Sequence, residues 1–376
     1  MRVPISRALG LLLVLSLPAD VVSAAGRDDP PLPRLSPQEL YESACATCHG
    51  RDGRGADPVA LGLTVPTPDF SDCNFATREP DADWGAIVYD GGPTRAFDRT
   101  MPAFGEALGD EGIRRVLEHV RTFCPEPAWP RGELNLPRPL VTEKAFPEDE
   151  AVVTTAIATE GPGSTTTRFV YERRFGARNQ LEVVVPVPAH EQPTGGGWTG
   201  GLGDIAVGVK RVLVHSHRAG SILSVTNEVV FPTGDEDEDL GKGVAVFEPF
   251  VTFGQILPAD GFLQFQGGFE FPFDTGTAAN EAFWRTAVGM SLNQGAGGRG
   301  RTWSPMLEVL GARELVSGES VQWDLVPQVQ VTLSTRQHVM LNVGVRVPLT
   351  DTGDRPTQFL CYVLWDWFDG GLFDGW

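Results

Sequence analysis

From about residue 151 onward the chain repeats one pattern, in which apolar and polar side chains alternate over short segments separated by clusters of Gly, Asn, Asp and Pro. Along the segment from Phe262 to Phe271, Leu263, Phe265, Phe269 and Phe271 fall on one side, and Gln264, Gln266 and Glu270 on the other. Val321, Trp323, Leu325, Val329 and Val331 oppose Gln322, Asp324, Gln328 and Gln330 in the same way. So do Val339, Leu341, Val343, Val345 and Val347 against His338, Asn342 and Arg346, and Trp284, Val288, Met290 and Leu292 against Arg285. A period of two is a strand with one apolar and one polar face. About twelve such strands of roughly ten residues are expected. They start near residues 151, 166, 178, 203, 221, 244, 261, 281, 301, 320, 336 and 358.

Two architectures use this pattern. In a soluble sandwich or barrel the apolar faces meet in a core. In a transmembrane barrel they meet lipid, and Glu228, Glu270, Arg285, Asp324 and Arg346 line a polar interior. Alternation alone does not separate the two. Strand length and an even count favour the membrane barrel, as do aromatic residues near segment ends, including Phe231, Phe271, Trp303, Trp365 and Trp367. The sequence printed ends on Trp376, and a terminal aromatic resembles the assembly signal of outer-membrane barrels. The runs Gly201-Leu202-Gly203-Asp204-Ile205, Phe231-Pro232-Thr233-Gly234-Asp235 and Glu248-Pro249-Phe250 make this region resemble the barrel family named for the MetA pathway of phenol degradation. That resemblance also implies an outer-membrane barrel.

Upstream the chain is different. Four of the five cysteines lie before residue 125, in a Gly-rich and helical context. The organisation expected is a small all-α domain over 34–124, a Pro-rich linker over 125–149 and an all-β antiparallel barrel over 150–376. Pro125, Pro127, Pro130, Pro137, Pro139 and Pro147 block helix in the linker, so it is expected to be an extended, semi-rigid spacer.

Ser36-Pro37-Gln38-Glu39 reads as a helix start, with Ser36 as N-cap and Glu39 closing a capping box. That helix delivers Cys45-Ala46-Thr47-Cys48-His49. Two cysteines three apart can each form a thioether to a haem vinyl group while the next residue, a histidine, reaches the iron. The other uses of a CxxC pair lack support. A zinc site has no further ligands nearby, and a thioredoxin-like pair wants a βαβ pattern. One covalent haem c is therefore expected on Cys45 and Cys48, with His49 as an axial ligand. The one methionine after this site within the domain is Met101, in Thr100-Met101-Pro102-Ala103-Phe104, where Pro102 holds a non-helical loop able to present the thioether. His119 is the other candidate. It falls off the Ile113, Val116, Leu117 and Val120 stripe of a helix expected over Asp110 to Phe123, and so is read as solvated.

With the N-terminal helix, the CATCH run, the following His49-Gly50-Arg51-Asp52-Gly53-Arg54-Gly55, the Met-Pro-Ala-Phe loop and the C-terminal helix on the page, this domain resembles a class I c-type cytochrome. The resemblance covers about a quarter of the chain. It implies packed terminal helices, His49 and Met101 as the axial pair, and one-electron transfer.

Cys73 and Cys124 remain in this domain. A disulfide between them would close a loop of about 50 residues and contribute on the order of 4 kcal/mol; the alternative is two free thiols. Cys361 would be left as a small apolar side chain in a strand.

The first residues carry Arg2 and Arg7, an apolar run from Ala8 to Leu17 and small residues at Ser23, Ala24 and Ala25, which read as a secretory signal over 1–25. The formal net charge of −19 argues against nucleic acid as a partner. Outer-membrane lipid and periplasmic redox proteins are the partners expected. No nucleophile, metal cluster or cofactor fingerprint stands out in the β region, and the acidic run Asp235 to Asp239 lacks EF-hand spacing, so an enzyme is not expected. An outer-membrane channel or transporter with a redox-linked cytochrome domain is the competing expectation.

Overall fold

A computed structural model describes residues 35–63, 65–192, 197–353 and 355–376. The signal expected over 1–25 lies outside the described residues. A small helical domain is followed by one antiparallel sheet that closes on itself.

The strands are β1 (Glu150–Ala158), β2 (Ser164–Phe175), β3 (Asn179–Glu191), β4 (Trp198–Gly200), β5 (Ile205–Ser216), β6 (Ser221–Phe231), β7 (Val246–Leu257), β8 (Gly261–Pro272), β9 (Glu281–Met290), β10 (Leu292–Asn293), β11 (Thr302–Glu314), β12 (Gln322–Thr332), β13 (Val339–Pro348) and β14 (Gln358–Asp366). β4 and β10 are short additions to β3 and β11. The other twelve each pair with the next, and β1 pairs with β14 from Glu150↔Asp366 to Ala158↔Gln358, which closes the barrel. Every one of the twelve begins within three residues of the start expected from the alternation.

Burial decides which face points where. Val153, Phe169, Leu181, Val209, Phe269 and Leu307 are exposed, whereas Gln180, Gln264, Gln266, Glu308, Ser224 and Asp324 are almost wholly buried. The polarity is inverted relative to a water-soluble barrel: the apolar face is outside and the polar face inside, which is the arrangement suited to hydrocarbon. Phe231 and Phe271 sit at one end of the wall, and Trp303 and Trp365 at the other. The last strand stops at Asp366, so Trp376 is not a strand residue; its indole Nε1 donates to the Leu372 carbonyl within the tail.

The two ends differ. Where β1 begins, the turns 176–178, 217–220 and 258–260 have three or four residues. The opposite end carries longer connections, such as 232–245 and 273–280. Short turns on one side and long loops on the other are typical of outer-membrane barrels, with the short turns periplasmic.

The stretch expected as a spacer does not run between two bodies. From about residue 131 it enters the barrel at the short-turn end, reaches the middle of the lumen near 140–143 and returns to start β1. Leu140 N donates to Gln328 Oε1 (2.9 Å), Thr142 N to Glu308 Oε2 (2.7 Å), Glu143 N to Gln266 Oε1 (3.0 Å) and Glu148 N to Gln180 Oε1 (2.7 Å). Ser224, Gln264 and Tyr362 donate in turn to the carbonyls of Ala145, Pro137 and Arg138. The reason is plain from the composition. A Pro-rich segment has few N–H groups and cannot join a ladder, so its buried backbone needs side-chain partners, and the inward strand positions supply them. Leu134 and Phe146 pack on Val212 and Ile222, Leu136 on Phe262 and Met306, and Leu140 beside Val152 and Tyr362. The segment is a plug.

The helical domain sits at the same end. It consists of α1 (Pro37–Ala44), α2 (Ala46–His49), α3 (Pro58–Leu61), α4 (Cys73–Ala76), α5 (Asp81–Asp90) and α6 (Gly105–Val120). Ser36 and Glu39 form the reciprocal cap of α1. Leu40 and Tyr41 of α1 pack against Ile113, Val116, Leu117 and Val120 of α6. Gly109 (φ 61) interrupts α6, so its regular part starts where the sequence placed a helix start. Arg95 Nη1 donates to the Arg299 carbonyl (2.7 Å), Arg299 pairs with Asp90 (2.8 Å) and lies 3.6 Å from the Tyr89 ring centre, and Arg336 Nη2 donates to the Ala96 carbonyl (3.1 Å). Arg78 pairs with Asp149 at the foot of the plug, where both are buried. These contacts dock the domain on the connections that follow β9 and β12.

Candidate haem site

α1 ends at Ala44, and its cap residue is Cys45; one turn later Cys48 and His49 close α2. Cys45 N and His49 N donate to the carbonyls of Tyr41 and Cys45, so the motif is wound as a continuation of the first helix and presents thiols and imidazole from one short turn. Cys45 and Cys48 are both free thiols. Tyr41, fully buried, donates its hydroxyl to the Gly50 carbonyl (2.7 Å) and holds the end of the motif. Burial, followed by the neighbouring Cys48, pushes the Cys45 thiol up to about 11, and burial alone lowers the His49 imidazole. His49 is thus biased to the neutral form that binds metal. Its Nδ1 is buried with no hydrogen-bond partner among the described residues, and its ring stacks on Phe70 at 5.0 Å.

Met101 lies in the loop between α5 and α6, half-buried against the core cluster that contains Cys45, Tyr41 and Trp84; Phe70 packs on that cluster too. The loop is held tightly: Gly92 N donates to the Met101 carbonyl (3.0 Å), and a Cβ on Gly92 would lie 2.2 Å from the Asp98 carbonyl oxygen. Any larger residue there would push the methionine loop away. His119 is not free in solvent. It is half-buried between the terminal helices, 5.1 Å from the Tyr41 ring and 5.0 Å from Phe123, because one turn of α6 faces Tyr41 beside the apolar stripe.

Two free thiols three residues apart, a half-buried imidazole whose buried Nδ1 has no partner among the described residues, and a thioether on the same core are a donor set that fits a c-type haem. Phe70 and Trp84 were not singled out from sequence. Tyr41 was legible in principle, one turn before Cys45 on the buried face of the first helix, whereas Phe70 comes from a loop with no periodicity.

Cys73 and Cys124 are joined, with Cα atoms 5.3 Å apart, and tie α4 to the end of α6. Replacing both by serine is expected to cost the helical domain about 2–5 kcal/mol. Urea titration followed by the haem absorbance band measures this; an unchanged midpoint would show that the link is dispensable. Cys361 is free and half-buried in β14.

Residues 34–120 match the family model described as cytochrome C oxidase, cbb3-type, subunit III. None of the curated proteins matches the chain. Among solved structures, an outer membrane channel from Pseudomonas putida F1 is 12% identical, with 61% of this chain and 99% of that one covered and a TM-score of 0.41. The NanC porin is 9% identical (57% and 97% covered, TM-score 0.40), and the beta domain of the Bordetella autotransporter BrkA is 15% identical (58% and 98% covered, TM-score 0.38). The closed barrel rests on its own strand pairing. The N-terminal region of this chain is a cytochrome c domain, which implies haem as its cofactor, and it is carried by a closed twelve-stranded antiparallel barrel.

Proposed function

We propose that the chain is a one-electron carrier fixed to the outer membrane by its barrel, with the cytochrome domain on the periplasmic side. Cys45 and Cys48 would hold a single haem through thioethers, and His49 and Met101 would ligate its iron. When bound, it would supply a one-electron iron couple, and a thioether ligand together with an imidazole would raise the potential of that couple. The chain's own residues position and shield it. Tyr41 anchors the motif turn, Phe70 orients the imidazole by stacking, and the Gly92-to-Met101 hydrogen bond holds the thioether loop. No substrate contacts the metal in this reading, and the protein is not an enzyme.

The observation that carries the reading is the plug. A lumen filled on its periplasmic half by residues 131–149, and roofed there by the cytochrome domain, suits an anchor better than an open passage. The outward apolar face, the even strand number and the short turns on the cytochrome side support the location. One haem does not span a hydrocarbon layer of about 25 Å, so small periplasmic redox proteins are the partners that fit. The barrel's resemblance to the MetA-pathway family belongs to this reading as well. A channel with a redox-linked cytochrome is the competing reading, and it requires the plug to leave.

Fractionation tests the proposal. Haem stain should co-migrate with an outer-membrane band whose mobility changes on heating; haem found only on a soluble periplasmic band would overturn it.

A further inference from the structure

The loop that carries Met101, residues 91–104 between α5 and α6, is also a part of the cytochrome domain that touches the barrel. Facing it stand two barrel arginines, Arg299 between β10 and β11 and Arg336 between β12 and β13. These two connections are locked to each other, because Gln337 Nε2 donates to the Gly300 carbonyl (3.0 Å) and Arg301 Nη2 to the Leu333 carbonyl (3.1 Å). They therefore present one edge to the loop.

Arg336 grips the loop in its middle. Its Nη2 donates to the Ala96 carbonyl (3.1 Å), its guanidinium lies 4.5 Å from the centre of the Phe97 ring, and its Nη1 donates to the Asp369 carbonyl of the C-terminal tail (2.8 Å). Arg299 grips the start. Its Nε donates to Asp90 (2.8 Å), its guanidinium lies over the Tyr89 ring, and its carbonyl accepts from Arg95 Nη1 (2.7 Å). Arg95 is almost wholly buried, and its Nε and Nη2 donate to Asp83 (3.2 and 3.0 Å), which ties the same loop back to α5.

A short hydrogen-bonded path leads from this grip to the methionine. Phe97 N donates to the Gly92 carbonyl (3.0 Å), and Gly92 N donates to the Met101 carbonyl (3.0 Å). The backbone under Arg336 is strained: Ala96 has φ 55, a left-handed conformation unfavourable for a residue with a Cβ. Such strain persists where surrounding contacts over-determine it, and one of those contacts comes from the barrel.

We propose that Arg336 and Arg299 are positioning residues for Met101, so that docking on the barrel holds the thioether in place and undocking loosens it. The two parts of the chain are then coupled. Whatever loosens the docked edge lowers the share of chains with Met101 ligated, and the reduction potential falls with that share. This rests on the reading of Met101 as the second axial ligand.

The experiment uses the full-length haem-loaded protein in detergent and reads the Met-to-iron charge-transfer absorbance of the oxidised form and the affinity for added imidazole, which competes with Met101. Added imidazole binds only where the loop has let go, so its apparent affinity scales with that fraction. Arg336→Ala removes a charge-assisted hydrogen bond, so the apparent affinity should rise about tenfold. The charge-transfer band should weaken and the midpoint potential fall, while thioether-bound pigment and the heat-modifiable barrel band match wild type. On a Met101→Ala background R336A should add nothing, because the ligand it supports is gone. Unchanged affinity in both R336A and Arg299→Ala, with Met101→Ala alone still altering the spectrum, overturns the proposal and leaves the axial reading standing. An R336A effect of the same size with and without Met101 also overturns it, as general loosening of the domain would give that result. A Met101→Ala spectrum like wild type sinks the axial reading itself, and this proposal with it. If R336A loses the heat-modifiable band, R299A is read by the same criteria.

Discussion

A chain in which Cys45 and Cys48 are both serine is expected to reach the membrane with its barrel assembled and without haem that survives acidified acetone. The two sulfurs are the proposed covalent links, and the helical domain has no other free thiol, since Cys73 and Cys124 are joined. The barrel closes through its own ladders and depends on neither cysteine. The measurement is haem stain after solvent extraction together with the heated and unheated gel shift. Unaltered acid-stable pigment in the double variant would remove Cys45 and Cys48 from the site. A companion change, Met101→Ala, should keep the covalent pigment and lower the reduction potential by on the order of tenths of a volt, within the span of about 0.8 V that axial ligands command. Retention of the wild-type potential would exclude Met101 as the second ligand.

The second large effect concerns the plug. Replacing residues 133–147 by a flexible Gly/Ser linker is expected to raise single-channel conductance in planar bilayers by more than about tenfold over the intact chain, because a polar-lined lumen of this kind fills with water once emptied. The wall groups that now serve the plug backbone, among them Glu308, Gln328 and Gln266, would be hydrated in its place. The intact protein should conduct poorly. High conductance of the intact chain, unchanged by the deletion, would sink the anchor reading in favour of a channel. The same variant should lose docking of the cytochrome domain in part, since Glu133 accepts from Asp81 N (3.1 Å) and pairs with Arg131, which itself contacts Asp81. Protease sensitivity of the haem domain reports that loss.

Much of the candidate site is legible in the sequence. The capping box, the CxxCH turn and the methionine loop depend on residues a few positions apart, and local geometry realises each of them. His119 was misjudged because helical periodicity places a residue on or off a stripe, whereas Tyr41 and Phe123 reach it from beside the stripe. α5 went unread: Gly85 and three acidic residues dilute its apolar pattern, and only the packing of Trp84, Ala86 and Val88 reveals its buried side.

In the barrel, period-two alternation determined which residues share a face, how many strands there are and where each begins, because those properties are carried by neighbours two positions apart. It did not determine which face meets hydrocarbon, since alternation has a phase but no sign. Only closure of the sheet made that choice, by burying Gln264 and Glu308 and leaving Leu307 and Phe269 outside. The plug is the extreme case. Its prolines say that the segment is extended, but its partners Gln328 and Glu308 lie 188 and 166 residues away in the chain, and the backbone groups of an extended segment accept whichever polar wall the tertiary fold brings to them.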